Sequence, residues 1–328
     1  MPDSSFLLTG GTGFIGRHVH RLLRDRFPGS PIRVLSRSPD SVAADDPDHI
    51  ALDLAGSDDL SPALDGVGVV LHLAGFTRVG EIAEDPVRGL DVNIHGTARL
   101  LEAARRAGVD RVVFVSSVRV LGAATGGAAS PLTEDLPLAP AEPYGAQKGA
   151  AELYCRAYRR RYGLDTVILR PSVVYGPGRR MVPGSMSGVV ARFATLILRD
   201  EPLTIVGDGS QRSDFVHVTD VARAIVTAAT ADVAGEVFHL GSGRPVSIVE
   251  LARLIGRVAG REPRFEYLPA TADTIDVYPS IERAADRLHW RPEVSLADGL
   301  RDYLAWLEAS EGNGHPQADV TRSGRATT

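Results

Sequence analysis

The chain contains a single cysteine, Cys155, among its 328 residues. An internal disulfide is therefore impossible, which is typical of a protein from a reducing compartment. Cys155 falls in a predicted helix, so we interpret it as a packed thiol rather than a nucleophile. No apolar run reaches the about 18 residues that a transmembrane helix needs, and no basic-then-apolar signal segment opens the chain. We therefore expect a cytoplasmic protein without membrane contacts.

A strong excess of charge of either sign is also missing. The formal net charge is -5, which gives no reason to expect nucleic acid or an anionic membrane surface as a partner. We predict no metal site. Hydrophobic residues make up 44% of the chain, which is enough to bury a full core in one large domain or in two closely packed ones.

Strand and helix patterns alternate through the first half of the chain. Strands are predicted at 6–8, 32–35, 49–52, 69–73, 111–115 and 166–169, and helices at 14–23, 85–107 and 144–162. Strands that alternate with helices indicate a parallel sheet with right-handed crossovers and helices on both faces. The predicted fold class is therefore α/β, a Rossmann-type doubly wound parallel sheet.

The sequence pattern changes beyond about Val173, where proline and glycine become frequent and the periodic segments become shorter. We predict a dinucleotide-binding domain from 1–172 and 213–241, and a smaller C-terminal substrate-binding lobe from 173–212 and 242–309. The segment 310–328 lacks a periodic apolar face, and we predict a disordered tail there.

A glycine-rich turn lies between the first predicted strand and the first helix, where residues 9–16 read Thr-Gly-Gly-Thr-Gly-Phe-Ile-Gly. Gly10 permits the tight turn, Gly13 lets the backbone approach a pyrophosphate, and Gly16 lets the helix pack close to the sheet. Free amides at the helix start then bind the anion. A glycine-rich turn without a ligand is the alternative.

The end of the second strand bears on cofactor choice. An acidic side chain there would bind the ribose hydroxyls of NAD and repel a 2′-phosphate. This chain has Ser36-Arg37-Ser38 instead, and a guanidinium with two hydroxyls suits a phosphate. We therefore expect NADP(H) to be favoured, with NAD(H) possible. Asp53, after the third strand, is a candidate partner of the adenine amino group.

Tyr144 and Lys148 lie four residues apart in a predicted helix, so their side chains share one face. A nearby ammonium lowers the pKa of a phenol and makes it a better acid–base group near neutral pH. Ser116 and Ser117 follow the fifth strand, at the sheet edge where such folds bind ligands. An ordinary amphipathic helix is the alternative interpretation of the Tyr–Lys spacing alone.

These motifs together resemble the extended short-chain dehydrogenase/reductase family, the NAD-dependent epimerase/dehydratase group that acts mostly on nucleotide sugars. The matching segments are TGGTGFIG at 9–16, DL at 53–54, HLAG at 72–75, VNIHGT at 92–97, FVSS at 114–117, PYGAQK at 143–148, LRPSVVYGPG at 169–178, GDGSQRSDFVHVTDVARA at 207–224 and WRPEVSLADGL at 290–300. The resemblance implies an NAD(P)-dependent enzyme and a homodimer that pairs the helices at 85–107 and 144–162.

The resemblance also implies roles for single residues. Ser117 would hold the substrate oxygen, Tyr144 would shuttle the proton, and Lys148 would support both Tyr144 and the nicotinamide ribose, while Asn93 would be structural. The predicted cofactor-binding residues are Gly10, Gly13, Phe14, Ile15, Gly16, Ser36, Arg37, Ser38, Asp53, Leu54, Leu73, Ala74, Gly75, Ser116, Tyr144, Lys148, Pro171 and Val173. The predicted substrate-binding residues are Ser117, Arg119, Arg180 and Arg212, with Arg179 and Arg192 as further candidates.

The departures from the family pattern bear on the reaction. Sugar 4,6-dehydratases place an acidic pair after the catalytic serine, whereas this chain has Val118-Arg119. Hexose 4-epimerases usually carry asparagine at the position of Val173 and aspartate at that of Ser36. Our leading hypothesis is therefore a 4-ketoreductase of a nucleotide-linked deoxyhexose. A 4-epimerase with tightly bound NAD is the alternative, and a non-catalytic NADP(H)-binding sensor is a minor one.

Overall fold

A computed structural model describes residues 5–37, 48–122, 131–181, 188–270 and 278–312. The strands are β1 (Phe6–Thr9), β2 (Ile32–Ser36), β3 (His49–Ala51), β4 (Val69–His72), β5 (Arg111–Val115), β6 (Asp165–Pro171), β7 (Val173–Tyr175), β8 (Leu203–Val206), β9 (Arg212–Ser213), β10 (Phe215–His217), β11 (Val237–Leu240), β12 (Val246–Ser247) and β13 (Phe265–Leu268).

The α-helices are α1 (Phe14–Arg26), α2 (Ser61–Leu64), α3 (Val79–Glu84), α4 (Thr97–Ala107), α5 (Pro143–Tyr162), α6 (Val189–Leu198), α7 (Val218–Thr230), α8 (Ile248–Ala259), α9 (Glu282–Arg287) and α10 (Leu296–Gly312). A π-helix at Asp91–Gly96 precedes α4, and a 3₁₀ helix at Val118–Leu121 follows β5.

Seven strands form one parallel sheet in the order β11-β6-β5-β4-β1-β2-β3. The order reverses at β1, whose Phe6 pairs with Ile32 on one side and with Val69 on the other. Such a reversal opens a crevice at the carboxyl ends of the strands, which is where doubly wound sheets bind ligands. The predicted Rossmann-type fold is confirmed.

Alternate residues of β1 enter two separate cores, one on each face of the sheet. Phe6 and Leu8 pack with α1 and α7, whereas Leu7 packs with α2, α4 and α5. This is the period of two that a strand buried on both faces requires.

The helix predicted at 85–107 starts later in the structure. Residues 85–89 form a turn, the π-helix at Asp91–Gly96 follows, and it continues directly into α4 at Thr97. Pro86 lacks an amide to donate and Gly89 adopts a left-handed φ of 90°, so the chain turns before the helix can continue. The predicted start of this helix was wrong, whereas its end at 107 agrees with the structure.

A third core belongs to the C-terminal half of the chain. It joins α6, α8 and α10 through buried side chains such as Phe193, Ile255 and Tyr303. Ser247 caps α8 with a capping box that includes Glu250. Helix α10 continues to Gly312, three residues into the predicted tail, whose remainder at 313–328 lies outside the described residues.

The described residues contain no helix that is both long and apolar enough to cross a membrane. Within the same ranges, no group of three or more His, Cys, Asp or Glu side chains is arranged to hold a metal ion.

Candidate active site at the carboxyl edge of the sheet

The glycine turn brings β1, α1 and the segment after β4 into direct contact. Gly10 has a φ of 71°, and a Cβ there would lie 2.7 Å from the Ala74 amide nitrogen. A Cβ on Gly16 would collide with the Gly10 carbonyl oxygen. Both positions therefore require glycine, for the close approach and the packing that the motif predicts.

The start of α1 fits an anionic group. Gly13 is the N-cap, it offers no side-chain cap, and the first turn carries no acidic residue. The first amides of α1 are therefore not capped by a side chain of Gly13 and meet no acidic side chain of the first turn, which suits the pyrophosphate of a dinucleotide. Phe14 and Ile15 lie in that first turn, as their predicted cofactor-binding role requires.

The residues predicted to contact the adenosine half of a dinucleotide lie after β2 and β3, and most of them make local contacts. The Ser36 hydroxyl lies 2.7 Å from His49 Nε2. Arg37 is exposed at the end of β2, and Ser38 lies outside the described residues. The Asp53 carboxylate accepts from the amide of Ala55 at 2.9 Å, which closes a turn. Leu54 is a core residue, 3% exposed, so its side chain contributes packing there.

The segment after β4 links the glycine turn to α5. A Cβ on Gly75 would lie 3.0 Å from Asn93 Oδ1 and 3.7 Å from Lys148 Nζ. Asn93 accepts from the Phe76 amide at 2.8 Å and donates to the Phe76 carbonyl at 3.0 Å and to Gln147 Oε1 at 2.7 Å. Asn93 therefore fastens this segment to α5, and the π-helix places its side chain there.

The 3₁₀ helix that follows Ser117 packs against α5, which carries Tyr144 and Lys148. Ser117 is the N-cap of the 3₁₀ helix, and its hydroxyl accepts from the Arg119 amide at 3.3 Å. Helix α5 begins directly against this turn, because a Cβ on Gly145 would collide with the Arg119 carbonyl. Tyr144 and Lys148 are 8% and 4% exposed on one face of α5.

Burial shifts the pKa values of both Tyr144 and Lys148. Burial raises the pKa of Tyr144 to about 12. The negative charge of Glu142 also raises this pKa, whereas the positive charges of Arg119 and Arg179 lower it. Burial lowers the pKa of Lys148 to about 8, and Glu152 opposes that decrease. The phenol pKa is therefore raised rather than lowered in the protein alone, because desolvation of Tyr144 outweighs the charges that act on it, which are those of Arg119, Glu142 and Arg179.

Lys148 is the only lysine in the sequence, the other members of its 36 lysine and arginine residues being arginines. Its ammonium group lies 4.4 Å from the centroid of the Phe114 ring, a cation–π contact. The sequence-based prediction noted neither that Lys148 is the single lysine nor that Glu152 lies one helical turn beyond it. The four-residue spacing of positions 144, 148 and 152 is the signal that could have revealed Glu152.

The predicted substrate-binding arginines are dispersed. Arg119 forms an ion pair with Glu142 at 2.7 Å beside Tyr144. Arg180 lies 5.2 Å above the Trp306 ring, and exposed Arg212 donates to the Pro245 carbonyl at 2.8 Å, so these contacts connect both to the C-terminal half. Arg179, by contrast, lies 5.7 Å from the centroid of the Phe14 ring and acts electrostatically on Tyr144.

The remaining predicted site residues lie at the same sheet edge. Leu73 and Ala74 follow β4, Pro171 ends β6 and Val173 begins β7. Ser116 is buried, and its hydroxyl donates to Glu152 at 2.6 Å.

Comparison with known proteins places these features in a family. Residues 6–241 match the model of the NAD dependent epimerase/dehydratase family. The UDP-glucose 4-epimerase of Mycolicibacterium smegmatis is 37% identical over 307 residues, which cover 90% of this chain and 95% of that protein.

Solved structures agree with the sequence relatives. A UDP-glucose 4-epimerase from Thermotoga maritima, solved with UDP-glucose, superposes with a TM-score of 0.84 at 30% identity, covering 94% of this chain and 99% of the other. A dTDP-glucose 4,6-dehydratase from Streptomyces venezuelae, solved with NAD, superposes with a TM-score of 0.83 at 31% identity, covering 94% and 98%.

Proposed function

The chain belongs to the NAD-dependent epimerase/dehydratase family, and from that membership we propose that it is a nucleotide-sugar 4-epimerase. The family and the enzyme class predicted from the motifs are confirmed. The 4-ketoreductase that the sequence favoured has no specific support among the relatives, whereas 4-epimerases are prominent among them.

The surroundings of Tyr144 carry the proposal, because they argue against the dehydratase branch of the family. Elimination of water needs an acid and a base next to the sugar, in addition to Tyr144. Val118 is buried and apolar, and Arg119 is a cation engaged with Glu142. With Tyr144 as the proposed proton-transfer group, these described surroundings suit oxidation and re-reduction of a single carbon.

Each residue of the proposed site has a separate task. Tyr144 accepts the proton of the sugar hydroxyl as the carbonyl forms and returns it when the carbonyl is reduced. The Ser117 hydroxyl donates a hydrogen bond to the same oxygen. The Lys148 ammonium stabilises the phenolate form of Tyr144 and binds the nicotinamide ribose. The bound nicotinamide supplies the hydride acceptor and donor.

The ketoreductase remains a second candidate because of Arg37. An exposed guanidinium at the end of β2, without a carboxylate at Ser36, suits a 2′-phosphate, so we propose that NADP(H) is accepted and favoured over NAD(H). The related dehydratase structure contains NAD. The identity of the bound cofactor therefore bears directly on the choice of reaction.

One experiment separates the two reactions. The purified protein is denatured, the released cofactor is identified by mass spectrometry, and the native protein is incubated with UDP-, dTDP- and GDP-hexoses without added cofactor. An epimerase releases a stoichiometric dinucleotide and interconverts a C4 epimer pair under these conditions. A protein that is purified without cofactor and consumes NADPH with a 4-keto sugar contradicts the proposal and favours the ketoreductase.

We further propose a homodimer that is built on α4 and α5. Leu153, Tyr154 and Tyr162 are large apolar residues of α5 that are 56%, 44% and 52% exposed. The Tyr158 hydroxyl of α5 donates to Glu102 of α4 at 3.3 Å, so the two helices are hydrogen-bonded side by side and form one continuous surface. Pairing this face with its copy would cover the exposed side chains.

We also propose that the C-terminal half forms a substrate-binding lobe and that the protein is cytoplasmic. The separate core of α6, α8 and α10 supports the substrate-binding lobe, because a lobe with its own core can close over the crevice. The buried thiol of Cys155 supports a cytoplasmic location.

A further inference from the structure

A buried ion pair ties the helix of the proposed site to the sheet. Glu152 of α5 and Arg170 of β6 have side chains that are fully buried, at 0% exposure each. Arg170 donates from Nε to Glu152 Oε1 at 2.8 Å and from Nη2 to Oε2 at 2.6 Å. The hydroxyl of Ser116, at the end of β5, donates to Oε1 at 2.6 Å. The Glu152 carboxylate is therefore fixed in position by three donors.

The guanidinium of Arg170 is held in turn by a neutral histidine. Nη1 of Arg170 lies 3.4 Å from His239 Nε2, and His239 Nδ1 lies 3.1 Å from the carbonyl of Leu132. Burial lowers the pKa of His239 to about 3, so the ring is neutral. Its Nδ1 then donates to the carbonyl and its Nε2 accepts from Arg170. The backbone amide of His239 donates to Glu134 at 2.9 Å.

This network adjoins Lys148. Glu152 lies four residues beyond Lys148 and eight beyond Tyr144, so the three side chains follow one face of α5. Both Lys148 and Glu152 are buried, at 4% and 0% exposure. A carboxylate in such surroundings acts on a neighbouring ammonium with little screening by water.

Positive charges approach Glu152 from Arg170 and, at 3.5 Å, from Arg156, whereas His72, Cys155 and Phe114 near Lys148 are uncharged at neutral pH. His72 of β4 has its pKa lowered to about 3 by burial, with a further contribution from Lys148. Burial raises the pKa of Cys155 to about 12, so its thiol is protonated. Phe114 of β5 contributes only its ring face. Among the described groups that act on Lys148, Glu152 alone carries a negative charge.

A purely structural contact at this place would not require two charges. Removing a carboxylate and a guanidinium from water costs several kcal/mol each, and apolar side chains of similar volume often replace a buried pair at no loss of stability. Because the pair lies beside the single lysine, the Glu152 charge can act electrostatically on Lys148, which an apolar side chain at this position could not do.

We propose that Glu152 is a positioning residue: its carboxylate, fixed by Ser116 and Arg170, supplies the negative charge that favours the charged form of Lys148 one helical turn away. This inference rests on the function proposed for Lys148. It adds a tuning residue outside the crevice, which touches neither substrate nor cofactor.

The single lysine allows a direct test on the full chain. Protein grown with lysine labelled by ¹³C at Cε gives one lysine side-chain signal, and its chemical shift is followed against pH. The variants are Glu152→Gln, the double variant Glu152→Gln/Arg170→Met, which leaves no unpaired buried charge, and the surface control Glu282→Gln. Glu282 forms an exposed ion pair with Arg291 at 3.1 Å.

We expect the wild-type signal to titrate near pH 8. Loss of the opposite charge should lower the midpoint by about one unit in Glu152→Gln. The double variant should show a smaller decrease, because it also loses the positive charge of Arg170, and Glu282→Gln should leave the midpoint unchanged. Thermal unfolding of each variant reports stability separately. A Lys148 midpoint that stays at the wild-type value in the folded double variant overturns the proposal, even if Glu152→Gln alone fails to fold.

The titration needs neither sugar nor cofactor, so its outcome is independent of the proposed epimerase activity. As a second measurement, the affinity for the dinucleotide is determined at pH 6 and pH 8. Glu152→Gln should weaken binding at pH 8 more than at pH 6, because more Lys148 is then uncharged.

Discussion

Replacing Tyr144 by phenylalanine tests the proposed chemistry with the smallest change in structure. The ring is 8% exposed and remains packed, and no hydrogen bond joins its hydroxyl to another described residue. The free energy of unfolding should therefore change by less than about 1 kcal/mol. Turnover should fall by a factor of about 10²–10⁴, the usual contribution of one acid–base group. At about 1.4 kcal/mol per factor of ten, this is a loss of about 3–5 kcal/mol of transition-state stabilisation.

The assay follows the interconversion of the C4 epimers by NMR, at saturating substrate and under conditions where chemistry limits the rate. Cofactor affinity is measured in parallel and should change little, because the hydroxyl is one contact among many. Tyr267→Phe, at a tyrosine of β13 that is 56% exposed, is the matched control and should behave as wild type. Near wild-type turnover of Tyr144→Phe would remove Tyr144 from the mechanism.

Three further results follow from the site and its surroundings. Lys148→Met should weaken both turnover and dinucleotide affinity. The dinucleotide affinity of the wild-type protein should also decline as pH rises through about 8, where Lys148 loses its charge. An affinity that calorimetry finds unchanged from pH 6 to pH 9 would contradict this prediction. Arg37→Ala should weaken NADPH far more than NADH, and equal weakening in a binding assay would show that the guanidinium does not contact a 2′-phosphate. Leu153→Asp should convert the proposed dimer to a monomer by light scattering, whereas a wild-type protein that is already monomeric at micromolar concentration would refute the assembly.

The glycine turn and the Tyr144–Lys148 spacing show how much local sequence determines here. Each motif depends on contacts within one strand, turn or helix, such as the left-handed φ of Gly10, so the order of residues along the chain is sufficient. The alternation of strands and helices likewise predicted the sheet, since parallel strands need a crossover between them. The start of the helix predicted at 85–107 was wrong because the sequence prediction did not treat Pro86 and Gly89 as helix breakers.

The charge states at the site were decided only by tertiary structure. Desolvation of Tyr144 and Lys148 depends on how β5, the 3₁₀ helix and α5 close around them, and this burial raised one pKa and lowered the other. The Glu152 carboxylate contacts Ser116 and Arg170, and Arg170 contacts His239, only because β5, β6 and β11 lie side by side in the sheet. Sequence places Lys148 on the correct helical face, and the fold determines which charge it meets there.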